Sequence, residues 1–138
     1  MSNDAAPILL LVADDLLMGS RVREGAKPSG FTVTVVGSEA AAKAALSGSP
    51  APVAVLVALT VRRVDPFALI RFVKATYPAI PVLAFAGHVE RELHEKARQS
   101  GADLVTANSS VAMHLPALLT RLLRGESGNI TDEEPAPE

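Results

Sequence analysis

The chain has no cysteine and no tryptophan, and only one tyrosine and four phenylalanines in 138 residues. Without cysteine there is no disulfide framework, no thiolate nucleophile and no cysteine-ligated zinc. The few aromatics give single-stranded nucleic acid little to stack on. Basic charge is scarce as well: 13 Lys and Arg against 15 Asp and Glu leave a net charge of −2 and no basic stripe along a surface. Nucleic acid is therefore not expected as a partner. No apolar run approaches the roughly 18 residues that span a bilayer, and the amino end lacks a basic region followed by a long apolar core. The expectation is a soluble, cytoplasmic protein with no membrane contact. Its charge is unevenly placed, because residues 126–138 contain Glu126, Asp132, Glu133, Glu134 and Glu138 and no Lys or Arg; setting those five aside turns −2 into +3. Polar, acidic and proline-bearing, this stretch predicts a disordered acidic tail over 126–138 behind a single folded domain over 1–125.

What is present is an alternation of strand and helix signals. Residues 53–59 (VAVLVAL) are apolar without polar alternation, as in a strand covered on both faces. Asp65-Pro66 then reads as an N-cap with proline at the first helical position. Residues 8–12, 31–36, 82–86 and 104–107 read as four further strands. Helical periodicity or capping signals fill 16–27, 38–46, 66–77, 89–100 and about 115–124. Gly19 and Gly25 weaken the first helix by about 1 kcal/mol each relative to alanine unless close packing compensates. The 89–100 helix is the most charged, with a narrow apolar stripe of Val89, Leu93 and Ala97, and is expected to be the least buried. Pro116 predicts a break between a first turn near 111–114 and the last helix. Five strand-helix units in this order imply a parallel sheet with right-handed crossovers and helices on both faces. In such sheets chemistry gathers at the carboxyl ends of the strands.

These segments resemble the receiver domain of bacterial two-component response regulators. The resemblance rests on residues 8–15, a strand ending in the acidic pair Asp14-Asp15; on 52–65, with its spacing from the central strand to Asp65; on 81–87; and on Gly101-Ala102-Asp103 before the fifth strand. It implies an α/β, flavodoxin-like (βα)5 three-layer sandwich whose five parallel strands lie in the order 2-1-3-4-5. It also implies positions for chemistry, and there this chain departs from the family. Ala58 stands where receivers carry the phosphorylated aspartate, Ala86 where they carry the threonine or serine, and Asn108 where they carry the lysine that neutralises the phosphoryl oxygens. Val105 replaces the usual aromatic of the fifth strand. A methyl group is no nucleophile, and the charge clamp is missing.

The expectation is a pseudo-receiver with no catalytic residues and no cofactor. It would act in signalling through phosphorylation-independent binding to another signalling protein or to itself, using the surface from Val89 to Leu123. The alternative is a small-molecule or metal sensor that uses the pocket at the strand ends. Of the receiver set only Asp14 and Asp15 remain. At about 5 Å and an effective dielectric near 20 they repel by roughly 3 kcal/mol, which a cation would relieve. Two carboxylates alone make a weak Mg²⁺ site, and no metal is expected. Arg62 and Arg63, on the adjacent loop, are candidate pocket cations, either replacing the metal or simply solvated. His88 is a weaker third ligand, and Thr60 carries no specific signal. His94 and His114 are expected to be solvated. The Asn108-Ser109 bond, lacking the family's proline, is expected to be trans.

Overall fold

The computed structural model describes residues 6–130. Its elements follow in chain order: β1 (Ile8–Val12), α1 (Leu16–Ala26), a 3-10 turn, β2 (Thr32–Val36), α2 (Glu39–Leu46), β3 (Ala54–Ala58), α3 (Pro66–Thr76), β4 (Val82–Ala86), α4 (Arg91–Ser100), β5 (Leu104–Ala107), α5 (Asn108–Met113), α6 (Leu115–Leu123) and β6 (Gly128–Asn129). All strand pairs are parallel, and the sheet order is β2-β1-β3-β4-β5-β6.

Each strand sends alternate residues to opposite faces, because successive side chains in a strand point apart. Leu10, Val12, Val55, Val57, Val82, Ala84 and Val105 pack with residues of α2, α3 and α4. Leu9, Leu11, Leu56, Leu83, Phe85 and Leu104 pack on the other face with α1, α5 and α6. β3 is buried along its whole length and lies inside the sheet, as its unbroken apolar run requires. Each fully buried Leu or Val contributes about 1.5–3 kcal/mol. Lysine stems complete the α3 side, with Lys43 Nζ 4.5 Å from the centre of the Phe72 ring and Lys96 Nζ 4.6 Å from that of Phe67.

Of the glycines of α1, Gly25 is a place of close approach and Gly19 one of ordinary contact. A Cβ at Gly25 would lie 3.2 Å from Leu115 of α6, and one at Gly19 would meet Val35 at 3.8 Å. The Gly-Ala-Asp stretch is a clasp at the amino end of the sheet. Gly101 closes α4 in the left-handed conformation at φ 113°. Two residues on, Asp103 Oδ2 accepts from Lys74 Nζ at 2.9 Å and from the Val82 amide at 2.8 Å. Lys74 Nζ also donates to Ile80 O at 3.1 Å.

Several expectations are corrected. The sheet has six strands rather than five: after α6 the chain returns to β5, with Gly128 N donating to Asp103 O and Ile130 N to Val105 O, both at 2.8 Å. Residues 126–130 thus belong to the folded unit, so the boundary expected at 125 moves past Ile130, whose side chain packs against the core on the α1, α5 and α6 side. The rest of the expected tail, 131–138, lies outside the described residues. Val53 is exposed because the strand proper begins at Ala54. Val89 is 73% exposed, since a turn in which Glu90 N donates to Gly87 O places it ahead of α4. The apolar stripe of α4 is then Leu93 and Ala97, and only Ala97 and Ser100 of this helix are buried. His94 is not simply solvated: it is partly buried, and its Nε2 has no hydrogen-bond partner among the described residues. The helical break before Pro116 falls at His114, but α5 begins at Asn108, directly after β5. Among the described residues the only cis peptide is Ser49-Pro50, so Asn108-Ser109 is trans.

Candidate functional site

The carboxyl ends of β1, β2 and β3 open into a cleft of about 890 Å³ lined by Asp14, Asp15, Gly37, Ser38, Thr60, Arg62 and Arg63. It sits where the chain order reverses around β1, the place at which doubly wound sheets bind ligands. Helices start beside it, and Ser38 at the start of α2 is part of its wall. Ser38 Oγ caps α2 by accepting from the Ala41 amide at 3.1 Å. Asp65 Oδ1 caps α3 through the Phe67 and Ala68 amides, both at 3.1 Å.

Both residues of the acidic pair are used by the backbone. Asp15 Oδ1 accepts from the Leu17 and Met18 amides at 2.9 and 3.3 Å and so caps α1. Asp14 Oδ2 accepts from the Arg62 amide at 2.9 Å, which ties the loop after β1 to the loop after β3. Each hydrogen bond to a charged group is worth about 1.5–3 kcal/mol before allowance for its exposure to water. Arg62 and Arg63 line the cleft together with the two carboxylates. Their guanidinium groups nevertheless form no ion pair with Asp14 or Asp15 among the described residues, and the contact that forms comes from the main chain. His88 is exposed and does not line the cleft. Among the described residues no three His, Cys, Asp or Glu groups gather as metal ligands.

The three positions singled out by the resemblance, Ala58, Ala86 and Asn108, lie on neighbouring strand ends. Ala58 closes β3 opposite Phe85, and it is 9% exposed. Ala86 closes β4 opposite Ala107 and is buried. Asn108 follows Ala107 as the exposed first residue of α5. These three residues carry two methyl groups and an amide, none of which attacks phosphorus or balances its charge. None of the three lines the cleft. Val105 is buried in the sheet. The Asp14 to Arg62 bond, between residues 48 apart, left no mark in the sequence, because an amide donor carries no residue identity.

No protein-family model and no curated protein matches this chain. Solved structures do. The receiver domain of NtrX from Brucella abortus aligns over 84% of this chain and 98% of its own, with a TM-score of 0.75 and 24% identity. A putative response regulator from Chloroflexus aurantiacus aligns over 86% and 98%, with a TM-score of 0.77 and 17% identity. The isolated receiver domain of RcsB from Salmonella enterica aligns over 90% and 92%, with a TM-score of 0.76 and 13% identity. The chain has the fold of a response-regulator receiver domain. At identities of 13–24% the likeness is one of backbone. Within this receiver fold the sixth strand follows the last helix, and no helix among the described residues is long and apolar enough to cross a membrane.

Proposed function

We propose that the chain is a receiver-like signalling module that works by docking on another signalling protein or on a second copy of itself, without accepting a phosphoryl group. The observation that carries this reading is the row Ala58, Ala86 and Asn108 at the ends of β3, β4 and β5. With the folded unit intact but no nucleophile at the end of its central strand, binding is the activity left to it. The docking face is the surface from Val89 to Leu123. There α4 offers Arg91, Glu92, Glu95, Lys96 and Arg98 to solvent, and Met113 is 72% exposed.

The test is intact-mass analysis after incubation with acetyl phosphate and Mg²⁺, for the native chain and for Ala58→Asp. The native chain stays unlabelled. The variant, although it regains a carboxylate, labels at least roughly a hundredfold more slowly than a receiver carrying all three groups. Each lost charge-stabilising donor costs about 3 kcal/mol in the transition state. Stoichiometric labelling of the native chain refutes the reading.

A second reading is favoured by the cleft itself, where two arginines and two carboxylates line one opening. It makes the strand ends a binding site for a small molecule or ion. Its test is calorimetric titration with Mg²⁺ and with small anions, repeated on an Arg62→Ala, Arg63→Ala variant.

A further inference from the structure

Leu104, Val105, Thr106 and Ala107 are all buried and carry neither charge nor proline, so β5 lacks the usual protections of an edge strand. The chain covers that edge with a very short strand of its own. Asp103 O and Val105 O accept from Gly128 N and Ile130 N, and the buried Thr106 hydroxyl donates to Ile130 O at 3.1 Å. Glu126 anchors the return through Arg121 Nε at 2.8 Å. The covering segment begins at Gly125 and pairs from Gly128, both at positive φ (89° and 129°), so that the turn back from α6 depends on two glycines. β6 itself has two residues, and Asp132, Glu133, Glu134 and Pro135 follow it in the sequence, which are the features that protect an edge.

We infer that residues 126–130 form a detachable cover which holds the chain monomeric, and that its release lets β5 pair with the β5 edge of a second copy. A two-fold axis runs such strands antiparallel, so the two sheets join through one isologous interface. The occupant is a second copy because the uncovered edge is the same short, uncharged strand on both molecules and meets itself without like-charge repulsion. Few contacts hold the cover, which makes it the least costly strand of the sheet to open. This inference does not depend on how the rim is used, and it stands whether or not the chain is phosphorylated.

The experiment is sedimentation velocity over a dilution series on four proteins: the full chain, the chain ending at Ile130, the chain ending at Gly125, and full-length Gly128→Pro. The proline removes the Gly128 amide donor and cannot adopt its φ. The first two sediment as monomers. The chain ending at Gly125 and Gly128→Pro sediment at twice the monomer mass, with amide protection along residues 104–107 retained in the dimer. A folded chain ending at Gly125 that stays monomeric overturns the inference, as does a dimer in which those amides exchange freely. A full-length chain that dimerises as tightly as Gly128→Pro overturns it too. If the shortened chain does not fold, judged by circular dichroism, Gly128→Pro alone decides, and a monomeric Gly128→Pro then overturns the inference.

Discussion

Replacing Asp103 by alanine tests the clasp that joins the carboxyl end of α3 to the start of β5. Its Oδ2 satisfies two donors, the Lys74 ammonium at 2.9 Å and the Val82 amide at 2.8 Å. The two contributions differ in kind. The Val82 amide opens the buried strand β4, and a hydrogen bond from it to a carboxylate is worth about 1.5–3 kcal/mol. The ion pair is partly open to water, with side-chain exposures of 23% for Lys74 and 30% for Asp103, so screening limits it to about 1 kcal/mol or less. Asp103→Ala therefore destabilises by about 2–4 kcal/mol, which for a domain of this size lowers Tm by roughly 6–16 °C. Asp103→Asn keeps an oxygen for Val82 and loses only the charge, at about 1 kcal/mol. Lys74→Met removes the ion pair and the bond to Ile80 O, and its double-mutant cycle with Asp103→Asn returns a coupling near 1 kcal/mol or below. Urea denaturation monitored by circular dichroism measures the native chain and the four variants. If Asp103→Ala costs less than about 0.5 kcal/mol, or Asp103→Asn costs as much as the alanine variant, the amide is not the dominant contact and the reasoning fails.

Gly101→Ala places a Cβ 3.1 Å from Lys74 Cγ at φ 113°, and is expected to lower stability by about 1–2 kcal/mol in the same assay. Leu56→Ala, in the middle of β3 and fully buried, should cost about 3–5 kcal/mol; a loss below 1 kcal/mol would mean that the central strand is not where the core is densest. Asp65→Ala strips two amides of their acceptor at the start of α3 and should cost about 1 kcal/mol, with Asp65→Ser recovering most of it. Millimolar Mg²⁺ should leave Tm within about 1 °C, because both rim carboxylates already accept backbone amides and no third ligand joins them among the described residues; a larger upward shift would mean a working metal site.

Much of the architecture was legible because it follows from local rules. The unbroken apolar run of β3 marked a strand covered on both faces, and Asp65-Pro66 and Ser38 marked helix starts that the structure confirms. The sheet order 2-1-3-4-5 followed from resemblance and holds among the first five strands. β6 was not legible. Gly128 and Asn129 have low strand propensity and sit beside acids and proline, and what orders them is an edge supplied by β5, a tertiary effect that propensity does not record. Val89 was misassigned because four-residue spacing with Leu93 is also met by a residue in the turn before a helix. At the rim, the sequence placed Asp14, Asp15, Arg62 and Arg63 in one neighbourhood. It did not disclose that the bond between them runs to a main-chain amide, which any residue at position 62 other than proline supplies.

The direction of β6 also governs where anything attached behind it emerges. A chain that finished with α6 would leave the sheet at the amino ends of the strands, the base opposite the cleft. Here one more parallel strand carries the path back up, until Ile130 stands beside Thr106, one residue short of the end of β5. A fluorophore or fused domain joined after Ile130 therefore starts near the rim side, where β4 ends at Ala86 and α5 begins at Asn108, whereas the same cargo joined after Leu123 starts from the base. The two junctions, seven residues apart in the chain, report on opposite ends of the molecule.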